Sequence, residues 1–253
     1  MLEWERMEKR YNVQLDIKHT AYGKLAGSKR KPLVIVVHGL PCTINEGFYE
    51  RACQWFDRHG YATYRFGLYD WHADARQLVD CTLSVHAKDL DTVIAHFRQK
   101  GYKKIFVAGH SFGGPTILLS KKQSFDAAVL WDPSYAISFT QKKYGVPGGK
   151  YVKALKGYFM RWGVNVIIGK KMADEIDALD WDRLTPSFHV PLKIIAAEKG
   201  VLVAGCKKYF SGAHEPKSLE VLKGATHYFD DTPTMQDRLF NATYDWFKKY
   251  ESL

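Results

Sequence analysis

No stretch of this 253-residue chain approaches the roughly 20 consecutive apolar residues that a helix needs to span a bilayer. An integral membrane protein is therefore not expected. Cysteine is scarce: Cys42, Cys53, Cys81 and Cys206 are the four, and their spacing matches no zinc motif. Neither internal repeats nor low-complexity tracts occur. The first ten residues, Met1 to Arg10, are charged throughout and lack the apolar stretch of a secretion signal. A cytoplasmic protein with reduced thiols is the expectation. Acidic residues are outnumbered, 27 against 37 Lys and Arg, for a formal net charge of +10. Such an excess suits nucleic acid, an anionic surface or acidic substrates. No helix-turn-helix, zinc-finger or aromatic RNA-binding signature accompanies it, and the lysines fall in short groups such as Lys142-Lys143 and Lys170-Lys171. A solvated basic surface, with no nucleic-acid partner, is expected.

What the chain has is alternation. From Leu33 onward, β-branched runs and amphipathic runs follow one another, which predicts an α/β class with a mostly parallel sheet covered on both faces. Strands are predicted near 33–38, 62–66, 104–108, 127–131, 192–197 and 218–222, and helices near 46–59, 83–100, 112–122, 202–210 and 233–250. Ahead of these, Tyr11–His19 alternates like a first strand, with Tyr22–Gly27 as its hairpin partner or a loop. Alternation stops between Asp132 and Val190. A structureless loop that long is uncommon in a compact domain, so local helices are expected there, near Tyr151–Val164 and Lys170–Ile176. The domain reading is a core of residues 1–133 and 188–253 with an insertion at 134–187.

The chemistry is concentrated in three places. Gly109-His110-Ser111-Phe112-Gly113 sits between a strand-like run and a helix-like one, the layout that lifts a serine clear of a sheet at a tight turn. Leu33 to Val37 runs into His38-Gly39-Leu40. Gly224-Ala225-Thr226-His227 follows the last predicted strand. In that order the three resemble the α/β-hydrolase superfamily, with closest likeness to its monoacylglycerol-lipase-like and small-esterase branches. One departure is Gly67-Leu68-Tyr69-Asp70-Trp71-His72, where many members carry an Arg-Gly-x-Gly-x-Ser turn.

The resemblance implies an α/β-hydrolase fold with a helical cap made by the insertion, and a serine hydrolase using no cofactor and no metal. Ser111 is the nucleophile. His227, among ten histidines, is its base, because it follows the last strand and precedes a C-terminal helix. The oxyanion donors are the backbone N–H groups of Phe112 and Leu40; Pro41 has none to offer. His38 is read as a support of that loop, His110 as the variable elbow position, and Cys42 as a packed thiol. The acid is less direct. Many relatives carry it as Glu-x-Asp after the strand at 192–197, where this chain has Glu198-Lys199-Gly200; Asp132, one strand earlier, is favoured over Glu198. Pro133 is expected to hold Asp132 in extended backbone. Asp230 and Asp231 are read as opening the last helix. Substrate contact is assigned to His38, Gly39, His110, Tyr135, Tyr158 and Trp162, and the insertion's aromatic residues suggest an apolar acyl or aryl pocket. The expected partner is a small acyl ester or thioester. Amide hydrolysis, acyl transfer and non-catalytic ligand binding are the alternatives on the same site, and the oligomeric state is open.

Overall fold

The computed structural model describes residues 8–252, and the expectation placed on the charged N-terminal segment falls mostly outside that range. Two short pairs open the chain: β1 (Lys9–Arg10) with β4 (Gly23–Ala26), and β2 (Val13–Gln14) with β3 (Thr20–Ala21). Alternation then brings β5 (Leu33–Val37), α1 (Gly47–Arg58), β6 (Ala62–Phe66), α2 (Leu83–Gln99), β7 (Ile105–His110), α3 (Gly113–Leu118) and β8 (Ala127–Trp131). The insertion supplies β9 (Lys150–Val152), β10 (Gly157–Arg161), β11 (Asn165–Gly169) and α4 (Lys170–Ala178). The chain closes with β12 (Leu192–Ala197), α5 (Val203–Gly212), β13 (Lys217–Leu222) and α6 (Met235–Lys248). The main sheet has eight strands in the order β1-β4-β6-β5-β7-β8-β12-β13. All six strands predicted from Leu33 onward lie in its parallel part.

Side chains of a strand alternate between faces, so a strand buried on both sides must be apolar throughout. In β5, Leu33, Ile35 and Val37 join one core with Leu90, Val93 and Phe97 of α2. Val34 and Val36 join the other, with Tyr49 and Phe56 of α1 and Phe240 and Phe247 of α6. Phe247 stacks on Phe106 of β7 with ring centres 4.7 Å apart. Burying an aromatic side chain of this kind is worth about 1.5–3 kcal/mol. Trp131 is fully buried and satisfies its indole N–H on Thr243 Oγ1 at 2.9 Å.

Four local expectations are corrected. Tyr151–Val164 is not a helix: β9, β10 and β11 form a three-stranded antiparallel sheet, with Arg161 paired to Asn165 around a loop at 162–164. The flanking runs Tyr158-Phe159-Met160 and Val166-Ile167-Ile168 are rich in aromatic and β-branched residues, and Gly163 takes φ +78°, the left-handed position that three-residue hairpin loops use. Tyr11–His19 forms only the two-residue β2, because the Asp16 carboxylate accepts the N–H groups of Lys18 and His19 and turns the chain. The helix expected to run to residue 122 ends at Leu118, where Asp91 accepts the N–H groups of Lys121 and Lys122. The last helix begins at Met235, so Asp230 and Asp231 precede it rather than open it.

Residues 134–187 meet the rest of the chain through polar as well as apolar contacts. Glu175 of α4 accepts the N–H groups of Leu83 and Ser84, capping α2, where a carboxylate meets the positive end of the helix dipole. Met160, Ile168 and Met172 enter the same apolar cluster as Leu90 and Phe97.

Candidate active site

The ends of the parallel strands carry the candidate residues. Leu40 follows β5, Ser111 follows β7, Asp132 follows β8, and Glu198 and His227 follow β12 and β13. Crevices outside the carboxyl ends of parallel strands are where open α/β sheets place their ligands.

Ser111 has φ +54°, a left-handed backbone unusual for a residue with a β-carbon. Its N–H is fixed on the Trp131 carbonyl at 3.0 Å, and its own carbonyl accepts from Gly114 and Ser134, each at 3.0 Å. The turn is this tight only because its glycines lack side chains. A β-carbon on Gly109 would stand 2.7 Å from the Gly113 carbonyl oxygen, and one on Gly113 would stand 2.5 Å from that of Val37.

Asp132 is fully buried, and its Oδ2 accepts Nδ1–H of His227 at 2.6 Å. The other oxygen takes the N–H of Ala197 at 3.1 Å. Glu198 points elsewhere and accepts the N–H of Gly224 at 2.8 Å. The extended backbone expected before Pro133 is not what forms: Asp132 has φ +41°. Its N–H is held by the Ile195 carbonyl at 2.7 Å, and these fixed partners override the local bias. Aspartate tolerates this region better than most residues. Gly200 lies against the Asp132 carboxylate. A β-carbon there would lie 3.0 Å from Asp132 Oδ2, so the space that a later aspartate would fill is taken by the Asp132 carboxylate. Asp231 braces the histidine loop, accepting the N–H of Thr226 at 2.6 Å.

Ser111, Asp132 and His227 line one cavity of about 610 Å³, together with Leu40, Phe112 and Trp162. Among the described residues neither the Leu40 nor the Phe112 N–H has a protein acceptor, which leaves both free for a ligand oxygen. The Ser111 hydroxyl contacts Ser134 Oγ at 3.4 Å and makes no hydrogen bond to His227 in this conformation. Such bonds commonly tighten only when substrate is bound.

Of the residues assigned to substrate contact, Trp162 lines the cavity and His38, Gly39, His110, Tyr135 and Tyr158 do not. His38 is buried, donating Nδ1–H to the Gly39 carbonyl at 2.8 Å and accepting the Leu68 N–H at 3.0 Å. Burial pushes its pKa down to about 4, so it is a neutral brace. His110 is also buried and held well below the ordinary histidine range. It donates Nε2–H to the His227 carbonyl at 2.9 Å and accepts the Tyr49 hydroxyl at 3.0 Å; that hydroxyl in turn accepts the Gly39 N–H at 2.9 Å. One chain of hydrogen bonds thus ties the Gly39 loop to the His227 loop. Gly39 is buried under this chain, Tyr135 bonds to Asp182, and Tyr158 packs on Tyr151. Cys42 is buried, with its sulfur 3.1 Å from the Tyr228 hydroxyl.

Sequence reasoning missed Tyr49, Ser134, Phe139, Lys143 and Arg161. Ser134 was within reach, because it completes the turn after Asp132-Pro133. Tyr49 carries no signal beyond a buried helix position.

His86 on α2 is fully buried behind Phe112, with ring centres 6.1 Å apart, and among the described residues neither of its ring nitrogens has a partner. Burial lowers its pKa to about 3. The folded value lies below the unfolded value near 6.5, so its contribution is fully present above 6.5 and is lost as pH falls from there towards 3. His86→Leu should therefore lose about 2 kcal/mol less stability than the wild type between pH 7 and 5. Denaturant unfolding at the two pH values measures this, and parallel losses would contradict it.

The comparisons agree with the geometry. The family model for serine aminopeptidase, S33, matches residues 28–196. No curated protein matches the sequence. Solved structures that resemble this one include Est1E from Butyrivibrio proteoclasticus, at 14% identity and TM-score 0.77 over 96% of this chain and 99% of that one. Est1E with bound ferulic acid gives 14% identity and TM-score 0.78 over 96% and 100%. The monoacylglycerol lipase of Paleococcus ferrophilus gives 17% identity and TM-score 0.69 over 91% and 99%. At these identities the structural likeness speaks for the fold. With its matched span reaching from before β5 to the end of β12, and with a parallel sheet that presents a strained serine at its carboxyl edge, the chain belongs to the serine aminopeptidase S33 family of α/β-hydrolases.

Proposed function

We propose that the protein hydrolyses a carboxylic ester or thioester through an acyl-enzyme on Ser111. The observation that carries this reading is the 2.6 Å bond from His227 Nδ1–H to a fully buried Asp132, in the cavity that Ser111 also lines. Asp132 fixes the tautomer that leaves Nε2 of His227 free to accept the Ser111 proton, and it stabilises the imidazolium that results. Ser111 Oγ attacks the carbonyl carbon, and the N–H groups of Phe112 and Leu40 hold the oxygen as it gains charge. His227 then protonates the leaving alcohol or thiol, and later takes a proton from the water that releases the acid.

Amide hydrolysis on the same residues is the second reading, because the family is described as a serine aminopeptidase. A substrate with a free amino terminus carries an ammonium that calls for a carboxylate, and the cavity's acidic lining residue is Asp132, already bonded to His227. Its other charged walls are lysine and arginine, which favours the ester. The test is a comparison of nitrophenyl esters of increasing acyl length with alanine nitroanilide. Ester hydrolysis that disappears in Ser111→Ala is expected, whereas turnover confined to the anilide would overturn the reading.

Residues 134–187 act as a selectivity cap in this proposal. They supply Ile137, Phe139, Val146 and Trp162 to the cavity wall, and Trp162 packs on Phe139 with ring centres 5.6 Å apart. Replacing the segment with a short Gly/Ser linker should alter preference among acyl lengths more than it alters hydrolysis of the acetate. Equal losses on every ester in a folded protein would contradict a selective cap.

A further inference from the structure

We infer that the substrate of this site carries an anionic group, a carboxylate or a phosphate, at the end that reaches the insertion. The inference rests on the hydrolase reading above and deepens it. Its first support is the cavity wall. Lys143 and Arg161 of residues 134–187 line the cavity, and neither pairs with a carboxylate among the described residues. The one acidic residue among the lining residues, Asp132, is spoken for by His227. The same cavity is also lined by apolar Ile137, Phe139, Val146 and Trp162.

The second support lies in the sequence. No acidic residue occurs between Asp132 and Asp174, a stretch that includes Lys142, Lys143, Lys150, Lys153, Lys156 and Arg161. Some lysines elsewhere do meet carboxylates, as Lys31 meets Asp57 and Lys193 meets Glu220. Two cations of this acid-free run, Lys143 and Arg161, line the candidate site. Like charges close together repel one another, whereas at a cavity wall they raise the local concentration of an anion. An ester with an apolar part and an anionic end suits these apolar and cationic walls.

The test uses two nitrophenyl esters of equal length, the glutarate monoester with a free carboxylate and the neutral pentanoate. For the wild type, kcat/KM should favour the anionic ester, and the preference should fade between about 0.01 and about 1 M salt, as the screening length falls from about 30 to about 3 Å. Lys143→Glu/Arg161→Glu should shift the anionic-to-neutral ratio by about tenfold towards the neutral ester, since two weak surface attractions become repulsions. Binding is read separately by calorimetric titration of the intact esters into Ser111→Ala, which needs no turnover. There the glutarate monoester should bind more tightly than the pentanoate, and charge reversal should remove the difference. Competition by acetate and by inorganic phosphate then tells a carboxylate end from a phosphate end. Equal binding of the two esters, or a ratio that ignores both salt and charge reversal, overturns the inference. So does charge-dependent capture by anionic phospholipid vesicles with no preference between the soluble esters, because the cations then serve a surface. Loss of turnover on both esters with the binding preference intact would instead defeat the hydrolase reading alone.

Discussion

Asp132→Asn should leave the protein folded and lower kcat on a nitrophenyl ester by about 10⁴-fold, the scale seen when a triad histidine is held in the wrong tautomer. The amide that replaces the carboxylate presents either a donor or a weaker acceptor to Nδ1 of His227, and it cannot stabilise an imidazolium. The fold has little reason to fail, because the side chain keeps its shape and an amide oxygen still accepts the Ala197 N–H. Glu198→Gln should lose far less. Its carboxylate accepts the Gly224 N–H on the outer side of the loop, and an amide oxygen performs that task. Matched kcat measurements with circular dichroism as a fold control decide the order. A larger loss for Glu198→Gln than for Asp132→Asn would put the acid in the other place.

Ser111→Ala and His227→Ala should each abolish measurable turnover, by about 10⁶-fold, and the double variant should be no worse than either single one. Nucleophile and base act as one unit, so once either is gone the other has nothing to do. Ser111→Ala is also expected to fold, since the hydroxyl's one side-chain contact is the long 3.4 Å approach to Ser134. Burst and steady-state kinetics at high enzyme concentration measure the losses. Near wild-type rates in either variant, or losses that multiply, would contradict a shared unit.

Much of this was legible in the chain because the informative signals are local. A fully buried parallel strand must be apolar along its whole length, so Leu33–Val37 and Ala127–Trp131 announce themselves. The glycines around Ser111 are dictated by contacts within a few residues or with the neighbouring strand, and they are visible as a pattern. The insertion was harder. Tyr151–Val164 mixes apolar and basic residues at spacings that suit either period, and the pairing of β10 with β11 decides the matter. The backbone of Asp132 was misjudged for the same kind of reason: the proline's bias is local, while the bonds from Asp132 to Ile195 and Ala197 come from β12, some sixty residues away. Substrate contacts fared worst. His38 and His110 sit near the candidate positions Leu40 and Ser111 in sequence, yet both turn into the protein to brace its loops.

The most direct test of the central claim is covalent. A fluorophosphonate reacts with a hydroxyl only where a base activates it and an oxyanion site receives the phosphoryl oxygen. Peptide mapping of the labelled protein should place the adduct on Ser111 alone, with labelling lost in His227→Ala and strongly slowed in Asp132→Asn. An unreactive Ser111 in folded wild-type protein, or an adduct on another residue, would contradict the account.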